Sequence, residues 1–203
     1  MKQVFCFLLI LALFIVPFGS IAEEASAFSY RNGVVFGDSK EAVIEKEGKP
    51  DIIDDSYISY MRRKLSGITK SELRYEFNST GLYGIWISYS NYDYIKIERQ
   101  EQIEEDYKVI EDGLIKKYGP AENIQDFSSV KTFKGCAIYS YLSETDRISA
   151  ATQRIVNDGA KLVYIEHIIY VAEKYNRNSY RHYLSYVLID PNEEFVDPVL
   201  RDL

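Results

Sequence analysis

Asp38-Ser-Lys-Glu41-Ala-Val-Ile44-Glu-Lys-Glu-Gly48-Lys-Pro50 is a short helix with both of its ends written into the sequence. Asp38 can cap the N-terminus, and Glu41, three residues on, completes a capping box. Ala42, Val43 and Ile44 form the body, and Gly48 with Pro50 stops it. The spacing predicts a helix over residues 39–47. A loop holding Asp51, Asp54 and Asp55 follows, then extended runs at 57–63, 73–77 and 82–90. The last two are joined by the hairpin loop Asn78-Ser79-Thr80-Gly81.

The same order recurs downstream. Ile103, Tyr107, Ile110, Leu114 and Tyr118 recur every three or four residues, which predicts a helix over about 100–118 with one apolar stripe. Glu101, Glu104, Glu105 and Asp106 crowd its first turns, Lys116 and Lys117 its last, as the helix macrodipole favours. Gly119-Pro120 ends it. Strands are expected at 132–142, 149–156, 162–171 and 182–189, with Asn157-Asp158-Gly159 turning between two of them. The fold expected is therefore α+β: two helix-plus-antiparallel-sheet units in tandem, over residues 23–98 and 99–190, with the helices packed on one face of the sheet. A tail over 191–203 completes the chain.

The opening Gly33-Val-Val-Phe-Gly37-Asp-Ser-Lys-Glu-Ala-Val43 and its Gly48-Lys-Pro50 stop resemble the small envelope lipoproteins of the outer-membrane assembly machinery. In those, a Gly-x-Ser/Thr-x-x-x-Val helix closes at a Leu-Gly-x-Pro-like break before a three-stranded sheet. Two such units in tandem look like the secreted β-lactamase-inhibitor protein fold, which lays a continuous concave sheet against its target. The resemblance covers residues 28 to about 190 as a pattern. It implies a binding or inhibitory role. This chain lacks a lipidation cysteine at the cleavage site, and its second helix lacks the Gly-x-Ser word.

Residues 1–22 read as an export signal. Lys2 gives a positive start, an apolar run extends from Val4 to Val16, Pro17 and Gly19 break it, and Ser20 and Ala22 stand at −3 and −1 of a cleavage site before Glu23. Ala25 and Ala27 offer a second site before Phe28. A span needs about 20 apolar residues, more than this run contains. The expected location is outside the cytoplasm, secreted or in the cell envelope, with no stable membrane span once the signal is removed. Cleavage after Ala22 leaves 181 residues, with 23 basic against 31 acidic side chains and a net charge of about −8. Such a surface repels phosphate backbones and anionic lipid, so nucleic acid is not an expected partner. Cys6 leaves with the signal, and the remaining thiol, Cys136, cannot form an internal disulfide. Its setting among Phe133, Ala137 and Ile138 reads as a buried structural thiol.

The chain carries no HExxH, Gly-x-Ser-x-Gly, glycine-rich phosphate loop or CxxC, so no cofactor, metal or catalytic residue is expected. The spacing of Asp51, Asp54 and Asp55 does not fit a calcium loop. His167 lies between Ile165 and Ile169 on an apolar strand face, which reads as a hydrogen-bonded core or edge histidine. His182 follows a polar run and is expected at the start of an exposed strand.

Tyrosine is the outlier, 18 residues against a single tryptophan, Trp86. In the run 82–90, Tyr83, Ile85, Ile87 and Tyr89 alternate with Leu82, Gly84, Trp86 and Ser88. The first set reads as core. The second sets Trp86 beside a glycine that leaves room over the backbone. With Leu82 on the same face and tyrosines from neighbouring strands, Tyr57, Tyr164 and Tyr186, it would form an aromatic recognition surface. The competing reading makes Trp86 core. The expected function is an exported, non-catalytic binding or inhibitory module that recognises a protein partner through the helix-free sheet face. The alternatives are an envelope-assembly or cell-wall scaffold, and a small secreted enzyme using carboxylates.

Overall fold

The structure, a computed structural model, describes residues 29–89, 97–126, 147–158, 161–174 and 177–189. The signal, the expected strand at 132–142, Cys136 and the tail over 191–203 lie outside the described residues.

The first helix, α1 (Lys40–Glu47), starts one residue later than its sequence suggested. Ser39 is the cap: its Oγ accepts from the Ala42 amide at 3.2 Å. Asp38 instead accepts from the Val35 amide at 2.9 Å and pairs with Lys46 at 2.7 Å. Gly48, at φ 84°, closes the helix by donating to the Ile44 carbonyl. Four strands follow: β1 (Ile52–Ile53), β2 (Tyr57–Leu65), β3 (Ile68–Asn78) and β4 (Gly81–Ser88). The second helix, α2 (Ile97–Tyr118), leads into β5 (Glu122–Asn123), β6 (Arg147–Asp158), β7 (Lys161–Lys174) and β8 (Arg177–Ile189). No helix among the described residues is long and apolar enough to cross a membrane.

The expectation of two helix-plus-antiparallel-sheet units in tandem is corrected here. Among the described residues the strands form a single eight-stranded antiparallel sheet in the order β1-β2-β3-β4-β8-β7-β6-β5. The joint is β4 against β8, with Gly84 opposite Val187, Trp86 opposite Ser185 and Ser88 opposite Tyr183. Each of these strands would be an exposed edge in a separate unit. Pairing them satisfies two rows of backbone groups at once and removes both edges. One hydrophobic cluster then runs across the joint, from Ile58, Tyr60, Leu73 and Tyr75 through Ile85 and Ile87 to Leu184, Tyr186, Val163 and Ile165. Val43 of α1 and Ile110 and Leu114 of α2 belong to that same cluster. Ile103 and Tyr107 of α2 pack further along, against Ile169, Val171 and Tyr180. The apolar stripe of α2 is thus buried, with Tyr118 partly covered at its end.

A β-bulge decides the faces of β4. Glu76 pairs with Gly84 but Phe77 with Leu82, so Tyr83 is an extra residue on β4. The alternation read from the sequence holds from Gly84 to Tyr89 and inverts below it. Leu82 turns into the helix-side core, and Tyr83 joins Trp86 on the other face. The start of β4 is anchored by the segment before α1, through Gly37 N–H to the Leu82 carbonyl and Leu82 N–H to the Asp38 carbonyl. That approach requires Gly81: at φ 104° it sits where a Cβ would come within 2.7 Å of the Gly37 carbonyl carbon.

Candidate functional site

Strand register defines a row of residues across the face away from the helices: Arg74, Trp86, Ser185, Glu166 and Gln153. A second row beside it runs Glu76, Gly84, Val187, Tyr164 and Ile155. Of the five residues expected to form a recognition surface, Trp86, Tyr57 and Tyr164 do share this face. Leu82 and Tyr186 do not; both are buried in the helix-side core, Leu82 by the bulge and Tyr186 because it pairs with Ile85.

The face divides in two. On β7 and β8 it is closed, with Tyr164, Glu166, Ser185 and Val187 each 2% exposed or less. On β2, β3 and β4 it is half-exposed and carries Tyr57, Glu72, Arg74, Glu76, Tyr83 and Trp86. The Arg74 guanidinium lies 4.5 Å from the Tyr57 ring centroid and 3.3 Å from Glu72 Oε1. Glu72 Oε1 also accepts from Ser59 Oγ at 2.7 Å. Trp86, itself partly buried, packs against the buried group of Tyr164, Val187 and Ile189 and against that of Ile168 and Tyr170. Its indole folds back over Gly84, so that a Cβ there would meet Nε1 at 3.2 Å and Glu76 Oε2 at 3.5 Å. Tyr83 Oη donates to that same carboxylate oxygen at 3.1 Å. Burial pushes the Glu76 carboxyl above its ordinary pKa, against the Tyr83 hydroxyl, the nearby indole N–H and the Arg74 charge, which favour the charged form. The indole N–H is buried beside the carboxylate without closing a hydrogen bond of standard geometry. Tyrosine, tryptophan and arginine are the side chains that dominate binding hot spots.

A second polar cluster, invisible as a unit in the sequence, lies under α2. Glu111 Oε2 accepts from Thr152 Oγ1 at 2.8 Å and stands 2.9 Å from His167 Nδ1. Its other oxygen takes the Arg154 guanidinium, whose Nε donates to the Gly119 carbonyl at 3.2 Å. His167 Nε2 lies 2.8 Å from His182 Nε2. Between two such nitrogens one must donate and one accept. With Nδ1 donating to Glu111, His167 is the acceptor and His182 the donor, and both rings are neutral. Tyr107 stacks on His167 at 4.0 Å and 8°. His182 is 1% exposed, which corrects its expected place on an exposed strand. The signal was available: Leu184 and Tyr186 share its parity on β8, and both are core. His167, fully buried and bonded through both nitrogens, is the core histidine its apolar neighbours suggested.

Electrostatics follow from burial. Desolvation lowers the pKa of His167, against the pull of Glu111. It lowers that of His182 to about 2, with His167 adding to the effect. Glu111 is also penalised by burial, but hydrogen bonds from His167, Arg154 and Thr152 and the Arg154 charge outweigh it and hold its pKa at about 2. On the opposite face, burial pushes Glu166 up to about 7. The Tyr164 hydroxyl reaches both Glu166 Oε2 at 2.8 Å and Gln153 Oε1 at 3.1 Å, yet has one hydrogen. A proton on Glu166 would supply the second bond. No group of three or more histidine, cysteine or acidic side chains among the described residues could hold a metal ion. The Glu111 carboxylate and both His167 nitrogens are engaged within the cluster under α2.

No family model, curated protein or solved structure matches the chain.

Proposed function

We propose that this is an exported binding module that recognises a protein partner through the half-exposed part of its helix-free sheet face. The observation that carries the reading is the grouping of Tyr57, Arg74, Tyr83 and the sole tryptophan, Trp86, on that face. Tyr164 lies beneath as packing support, and Leu82 and Tyr186 belong to the core. Rigid strands set the spacing of these side chains, so little ordering entropy is lost on docking. The export signal read in residues 1–22 supports a partner outside the cytoplasm.

The test uses Trp86→Ala. A partner recovered from the culture medium with the wild-type chain should bind the variant more weakly by about 2 kcal/mol or more, with far-UV circular dichroism unchanged. Equal binding by the folded variant would overturn the reading.

A further inference from the structure

Two carboxylates stand on the half-exposed part of the face, and they are not equivalent. Glu72 already holds Arg74 and the Ser59 hydroxyl. The Arg74 guanidinium makes its contacts with Glu72 and the Tyr57 ring. Glu76 has no ion-pair partner in contact among the described residues; it accepts from the Tyr83 hydroxyl beside the indole N–H, and the Arg74 charge acts on it from beyond contact distance. Its partner in the pair register is Gly84, the residue over which the Trp86 indole lies. The missing Cβ leaves the indole and the Glu76 carboxylate side by side, at the boundary between the half-exposed strands and the closed part of the face.

A partly buried carboxylate with no cation in contact costs free energy that an incoming positive charge recovers. An aromatic face beside it attracts the same charge through its quadrupole. We propose that Trp86 and Glu76 together receive a basic side chain, an arginine or lysine presented by the protein partner. The cation lies on the indole and against the carboxylate, and Tyr83 holds the carboxylate in place through its hydroxyl. The inference rests on the reading of this face as the binding surface. It adds the chemistry of what binds. The acidic surface of the whole chain, net −7 with the signal included, favours approach of such a partner.

Because Trp86 is the sole tryptophan, its fluorescence reports this position directly. The probes are an end-capped glycine–arginine–glycine peptide, its citrulline counterpart, which keeps the shape and loses the charge, and a neutral oligosaccharide. The expected result is a saturable change in Trp86 emission with the arginine peptide. Binding should be about tenfold weaker, or more, for the citrulline peptide and for the arginine peptide with Glu76→Gln, as loss of a charge-assisted contact predicts. Glu76→Gln is checked for an unchanged circular dichroism spectrum. Equal binding of the arginine and citrulline peptides, or no effect of Glu76→Gln, overturns the cation receptor while leaving the aromatic binding face intact. Binding of the oligosaccharide alone overturns the receptor and the protein-partner reading together. No response to any probe up to its solubility limit overturns the receptor, while Trp86→Ala against a recovered partner still decides the binding face.

Discussion

Glu166 and His167 are adjacent in sequence, yet they face opposite sides of β7 and respond to pH in opposite directions. His167 and His182 have folded pKa values below the ordinary 6.5, so the native state binds fewer protons than the unfolded chain. Their neutral pairing contributes fully above pH 6.5 and is lost as pH falls below it. Glu111, held at about 2, adds to the same acid limb: its contribution is complete above 4.5 and declines as pH falls toward 2. Glu166 is the reverse case. Its pKa is raised from 4.5 to about 7, so its contribution is complete below 4.5 and is lost as pH rises through about 7. Urea denaturation should therefore show maximal stability near neutral pH. Glu166→Gln should remove the loss that wild-type Glu166 suffers between pH 4.5 and about 7, gaining on the order of 3 kcal/mol relative to wild type at pH 8.5 over pH 4.5. A difference between variant and wild type that is the same at both pH values would mean that Glu166 is ionised without cost in the native state.

At the scale of the elements, the 3.6-residue period of α2 was legible, and so was the Gly48 stop of α1, while its cap fell on Ser39 and not on Asp38. Both are local properties: the helix period puts Ile103, Tyr107, Ile110 and Leu114 on one side whatever they meet. All four are 8% exposed or less. Leu114→Ala should cost about 2–5 kcal/mol in chemical denaturation. Val109→Ala, on the outer side and 60% exposed, should stay within about 0.5 kcal/mol. Similar losses at both positions would place the stripe elsewhere. The faces of β4 were legible only from Gly84 onward. A bulge is defined by a partner strand, and nothing in Leu82-Tyr-Gly84 marks the extra residue before β3 is laid beside it.

For the whole molecule, the β4–β8 joint makes the two halves of the chain share a core. Lys161, at the start of β7, also reaches back to the Phe36 carbonyl at 3.1 Å. Thermal unfolding should consequently be one cooperative transition, with Trp86 fluorescence and far-UV circular dichroism changing at the same temperature. Two resolved transitions would show that the halves fold as separate units in spite of the continuous sheet.

What the sequence by itself determined is what short-range physics controls: two helices with their ends, a tail of antiparallel strands after each, the burial of His167, and the placement of Trp86 beside a glycine. Periodicity and turn chemistry act over a few residues, so they survive in the string. The tertiary structure alone decided which strands became neighbours. Without register, Tyr57 and Tyr164 could not be assigned to the face of Trp86, nor Tyr186 to the opposite one. Glu111, Thr152, Arg154, His167 and His182 are spread over 72 positions and come together only when α2 is laid on β6, β7 and β8. The single sheet was hidden for the same reason. Each half contains the strands for a sheet of its own, and the choice to join them at β4 and β8 turns on the free energy of two open edges, a quantity that no local stretch of sequence contains.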